Sequence, residues 1–243
     1  MKTFFVSKIT SPIFSSNILV QLIAGGFFLL FSELVFSHGV DDSTKQFLLK
    51  NEGAEIIAFV YIGAKHMVTG YDHLLFLVCV IFFLYKTKDI LIYVSLFTIG
   101  HSTTLLLGVF NDIQVDAFLI DAIIGFSIVY KGFDNLGGFR RILNFQPNTR
   151  IAVTIFGLFH GLGLATKLQD FDIPEQGLMT NIISFNLGVE IGQVILLSFV
   201  LIFLSAWRRN KNFLSHSIAT NTLLMSGGML LMLFQLTSFV QFQ

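Results

Sequence analysis

Six ionisable residues lie inside long apolar stretches: Asp72, His73, His101, Asp121, His160 and Glu190. At the centre of a membrane helix each costs about 2.5 to 3.5 kcal/mol on insertion scales, so it must face a partner or a polar cavity. A single buried histidine is usually an interhelical hydrogen bond. Three imidazoles with three carboxylates are more polarity than packing requires, and together they suit a divalent transition metal. Nitrogen and oxygen donors without thiolate fit Ni, Zn, Co, Fe(II) or Cu(II), and the residue types do not choose among them. Cys79 is the one cysteine, set in an apolar run, so disulfides and thiolate-rich sites are excluded.

The neighbours of these residues extend the candidate site. His66 precedes Asp72 and His73 and is placed to collect a metal. Asn186, Glu190 and Gln193 are spaced i, i+4, i+7, so one helix stripe would present a carboxylate and two amides inward. Thr98 and Thr104 share a face with His101, and with Ser102 they supply hydroxyls that could fix an imidazole tautomer. Asp121 would also suit a water-exposed vestibule. Gly157 and Gly161 flank His160, and Gly188 and Gly192 flank Glu190, both as small-xxx-small pairs that let a neighbouring helix approach.

These side chains need a membrane scaffold, and the composition supplies one. Of 243 residues, 54% are hydrophobic and 12% charged, with a formal net charge of zero; the mean hydropathy is +0.77. The chain reads as an all-α, polytopic transmembrane helix bundle whose partner is the lipid bilayer, with nothing that points to nucleic acid. Full spans are expected at about His66–Tyr85, Ile90–Phe110, Val115–Phe133, Ile151–Leu168, Thr180–Trp207 and Ile218–Val240. Ile56–Ala64 is too short to cross alone and reads as interfacial or re-entrant. A phosphate-binding loop of the Gly-x-x-x-x-Gly-Lys-Ser/Thr type is absent.

Cations collect in alternate loops: Lys86 and Lys88, then Lys131, Arg140, Arg141 and Arg150, then Arg208, Arg209 and Lys211. The intervening loops carry Asp112 and Asp116, then Asp170, Asp172 and Glu175 with Lys167. The cationic loops are therefore cytoplasmic, and the six-span core is N-out and C-out. Lys2 and Lys8 followed by an apolar run from Ile18 read as a signal peptide cleaved after Ser37, or as an uncleaved signal anchor. The expected organisation is residues 1–37 as signal, 38–65 as an extracytoplasmic segment and 66–243 as the six-helix domain. Cleavage would leave His38 first, its amine and imidazole able to capture metal at the outer surface.

Depth tests whether one site is feasible. At about 1.5 Å per residue, Asp72, His73 and Asp121 lie roughly 9 to 10 Å from the outer face and Glu190 roughly 15 Å. His101 and His160 lie about 15 to 17 Å from the inner face, so all six share a band from mid-bilayer to the outer third.

Four motifs in order, His66-x5-Asp72-His73, Phe97-Thr98-Ile99-Gly100-His101-Ser102, Phe156-Gly157-Leu158-Phe159-His160-Gly161 and Phe185-Asn186-Leu187-Gly188-Val189-Glu190-Ile191-Gly192-Gln193, resemble the HupE/UreJ family of hydrogenase and urease accessory membrane proteins. The resemblance covers roughly Ile56 to Val240. It implies a bacterial cytoplasmic-membrane permease for nickel that serves metalloenzyme maturation partners. Met67 stands where members linked to nickel carry proline, which implies a divergent branch. Transport of a divalent metal through His66, Asp72, His73, His101, His160 and Glu190 is the leading expectation, and the chain is not expected to be an enzyme. The alternatives are an intramembrane zinc hydrolase acting on a lipid-like substrate, and a metal sensor or assembly factor without flux.

Overall fold

The computed structural model describes residues 53–169 and 176–242. The expected signal segment, His38 and the acidic residues Asp170, Asp172 and Glu175 lie outside the described residues. Within them the elements are helical: α1 (Ile56–Thr69), α2 (Tyr71–Ile81), α3 (Thr87–Phe110), α4 (Ala117–Asn135), a short α5 (Gly138–Ile142), α6 (Thr149–Gln169), α7 (Leu178–Trp207) and α8 (Phe213–Gln241). Four of them, α3, α6, α7 and α8, are long and apolar enough to cross a membrane. The 19 residues of α4 include Asp121, Lys131 and Asp134, which lower its hydropathy. The described residues are all-α, and the chain is an integral membrane protein.

The first expected span, one helix from His66 to Tyr85, is instead two helices that meet at Gly70. The α1 helix runs through the expected boundary between Lys65 and His66 and ends at Thr69. Hydropathy conceals this break because apolar residues continue on both sides of it. Glycine has weak helix propensity, and Gly70 donates its N–H to the His66 carbonyl at 2.7 Å before α2 begins. Non-helical backbone at membrane depth is tolerated where protein surrounds it.

Three helix pairs surround α2. In the first, α1 runs parallel to α7: Asn181 binds the backbone of Gly53 and Glu55, Val60 lies on Gly188, and Ala64 lies on Gly192. In the second, α3 runs parallel to α6, with Gly100 against Thr154 and Leu158, Gly157 against Phe97, and Gly161 against the His101 carbonyl. A Cβ at Gly161 or Gly188 would collide with the opposing backbone, so these contacts are backbone on backbone. In the third pair α4 runs antiparallel to α8, where Gly125 meets Gly228 and Met232, and Gly132 meets Asn221 and Met225.

The end of α2 far from Gly70 is tied down by polar groups. Arg208, just after α7, donates to the carbonyls of Ile81 and Phe82 at 2.8 Å each, which satisfies orphan acceptors at the α2 C-terminus. Asn135 donates to the Cys79 carbonyl and to Asn221 Oδ1, both at 2.8 Å, joining α4, α2 and α8. Lys131 pairs with Asp134 and donates to Asn135 in the same network.

Candidate functional site

The break at Gly70 creates the site. In a continuous helix His66 and His73 would be seven residues apart, or about 10.5 Å along the axis. Their ring centroids are 5.2 Å apart, because His66 lies in the last turn of α1 and His73 in the first turn of α2. His73 is also 4.8 Å from the ring of His160 on α6 and 5.9 Å from that of His101 on α3. Four helices thus each bring one imidazole to a common layer with His73 at its hub. His73, His101 and His160 are buried.

Hydrogen bonding sets the ring orientations. The Asp72 carboxylate accepts from His73 Nδ1 at 2.8 Å and from the His73 backbone N–H at 2.9 Å. The Phe156 carbonyl accepts from His160 Nδ1 at 2.7 Å. A carboxylate or carbonyl can only accept, so Nδ1 carries the proton in both rings and Nε2 is left with its lone pair. The Nε2 atoms of His66, His73, His101 and His160 are all buried without a hydrogen-bond partner, and His101 Nδ1 is unpartnered as well. Buried polar atoms are normally satisfied, so this concentration of orphans demands an explanation. A metal-ligating histidine characteristically donates its second nitrogen to a carboxylate or carbonyl, the pattern seen at His73 and His160. As the rings stand, however, no three His, Cys, Asp or Glu side chains among the described residues are arranged to hold a metal ion. The donor chemistry fits a transition metal, but closure around an ion requires the rings to turn.

Other expected members are placed differently. Ser102 donates to Asn186 Oδ1 at 3.2 Å and Thr98 donates to Gln193 Oε1 at 3.0 Å, so these hydroxyls bridge α3 to α7 and do not orient His101. Thr104 donates to the Leu158 carbonyl at 2.6 Å and ties α3 to α6. Asp121 is buried away from the histidines, with both carboxylate oxygens on Lys167 at 2.9 and 3.0 Å and Gln235 at 3.5 Å. Lys167 follows His160 by seven residues on α6, which puts this ion pair about 10 Å along the helix from the histidine layer. Glu190, expected to point inward with Asn186 and Gln193, is exposed on α7.

The motifs also contain a feature that charge-centred reading passes over. Phe76, Phe97 and Phe156 lie three or four residues from His73, His101 and His160 and are buried beneath them. Ring centroids are 5.6 Å apart for Phe76 with each of Phe97 and Phe156. Phe97 and Phe76 lie 5.1 and 5.5 Å from the His160 ring. Since Phe76 follows its histidine while Phe97 and Phe156 precede theirs, α2 runs opposite to α3 and α6, and all three rings form a floor on one side of the layer. The near-constant spacing to each histidine was the available signal.

Neither a curated relative nor a solved structure similar to this chain was found. A family model described as HupE / UreJ protein matches residues 42–243, which takes in every described helix and all four imidazoles of the layer. By that match the chain belongs to the HupE/UreJ family.

Proposed function

We propose that this protein carries a divalent transition metal across the bacterial cytoplasmic membrane through the histidine layer, with nickel favoured by the family. The observation that carries the reading is the set of four buried, unpartnered Nε2 atoms on four helices, two of them in rings whose other nitrogen is already held. His66 collects the ion, and Asp72, His73, His101, His160 and Glu190 serve its transit. A rigid preformed cage would retain the ion; donors that must rotate to close on it suit release as well as capture. Parallel and antiparallel packing support six crossings in an N-out, C-out core, with α1 and α2 together making the first. In that orientation the phenylalanine floor lies on the cytoplasmic side of the histidines. A dication moving inward gains about 4.6 kcal/mol per 100 mV of membrane potential, so uptake requires no nucleotide.

Proteoliposomes containing an entrapped metal-sensitive dye test the reading. Ni2+ influx is expected with the wild-type protein and is expected to fall to the level of empty vesicles with His73→Ala. Equal influx for the two proteins would remove the histidine layer from the pathway.

A further inference from the structure

Asn186 and Gln193 are 8% and 1% exposed, and each accepts a hydroxyl from α3 through its amide oxygen. Their amide nitrogens, Nδ2 and Nε2, are buried and have no partner. Two unsatisfied donors seven residues apart on one stripe call for an acceptor between them. Position 190 occupies that interval. At 3.6 residues per turn, Glu190 is rotated about 40° from Asn186 and about 60° from Gln193. On its other flank Ile183, Leu187 and Val194 are exposed. Glu190 therefore stands at the margin between the buried and exposed faces of α7, where rotation of its side chain alone can carry the carboxylate either way.

Charge points in the same direction. Among the described residues Asp72 is the carboxylate in contact with the histidine layer, and Asp121 is neutralised by Lys167. A dication held by neutral imidazoles beside one carboxylate leaves a net positive charge in a low-dielectric site. A second anion removes it. We infer that Glu190 swings inward at the α3–α7 seam when the layer binds a divalent cation, accepting hydrogen bonds from Asn186 and Gln193 and supplying the second negative charge. This rests on the metal-transport reading and adds a moving counter-charge to it. In the outward position the carboxylate faces an apolar surface, and in the inward one it satisfies two orphan donors and the bound ion together.

The test uses the full chain in lipid nanodiscs titrated with Co2+, whose visible ligand-field bands report imidazole ligation while infrared difference spectra report carboxylates. The wild-type protein is expected to develop the visible bands together with a shifted carboxylate stretch. Glu190→Gln should keep the visible bands, lose part of the infrared change and bind Co2+ about tenfold more weakly. Gln193→Leu, which retains the carboxylate but removes one of its inward anchors, should diminish the same infrared component. Visible bands in the wild type with an infrared change that is identical in Glu190→Gln would show that the carboxylate stays outside, overturning this inference and leaving the transport reading intact. Absence of visible bands from the wild-type protein would overturn both.

Discussion

The substitution Asp72→Asn separates the charge of this residue from its shape. The amide oxygen it introduces can still accept from His73 Nδ1 and from the His73 backbone N–H, which lie 2.8 and 2.9 Å from the carboxylate oxygen of the wild type, so the ring keeps its place. What is lost is the charge that strengthens the first bond and makes His73 Nε2 a better metal ligand. A hydrogen bond to a charged group contributes about 1.5 to 3 kcal/mol against about 1 for a neutral pair, so the loss is about 0.5 to 2 kcal/mol. Loss of the direct attraction between the carboxylate and the bound dication adds to this. Together they predict Ni2+ affinity about 10- to 100-fold below wild type, the range typical of partners that orient a metal-binding histidine. Isothermal titration of the purified, detergent-solubilised protein measures the ratio, with thermal unfolding run in parallel to show that the fold is kept. An Asp72→Asn protein that unfolds at the wild-type temperature and binds Ni2+ within twofold of wild type would refute the assignment of Asp72 as the group that primes His73.

Three other perturbations address the scaffold. Phe97→Ala opens the floor beneath His101 and His160; Ni2+ leak from loaded proteoliposomes should rise severalfold, and thermal stability should fall by about 3 kcal/mol or more, as for other buried phenylalanines. Lys167→Met strands a buried Asp121 carboxylate and should destabilise the protein by about 3 to 5 kcal/mol, whereas Asp121→Asn with Lys167→Met should recover much of that loss in a double-mutant cycle of unfolding midpoints. Gly161→Leu places a side chain against the His101 carbonyl and Thr104, prying α3 from α6, so the yield of monodisperse protein by size exclusion should drop sharply while Ile57→Ala, at an exposed side chain, lowers it less.

Much of this arrangement is legible in the sequence motifs, and the places where they fall short have physical causes. The helices α3, α4, α6 and α7 lie within three residues of the expected spans because hydropathy changes abruptly at their ends. Histidines 73, 101 and 160 converge because residues on different spans at one depth have few places to go but inward. The break at Gly70 is illegible to hydropathy, since it interrupts hydrogen bonding and leaves the apolar pattern intact; it also turns His66 from a residue at the mouth of a span into a member of the layer. Helical spacing placed Glu190 on a stripe with Asn186 and Gln193, but an i, i+4, i+7 stripe is about 60° wide, and Glu190 falls on the side of it that α3 does not cover. The partner of Asp121 was obscured because Lys167 counts with the outer-loop charges in a topology argument, although α6 extends to Gln169 and brings it alongside α4.

Metal uptake by the imidazoles of His66, His73, His101 and His160 underlies both the transport reading and the role given to Glu190. X-ray absorption at the nickel edge of the full-length protein, loaded with one equivalent of Ni2+ in lipid, reads the ligands directly. An imidazole multiple-scattering pattern from at least two histidines is expected, weakening in His160→Ala; a spectrum of oxygen ligands alone, unchanged by that substitution, would contradict ligation by the histidine layer.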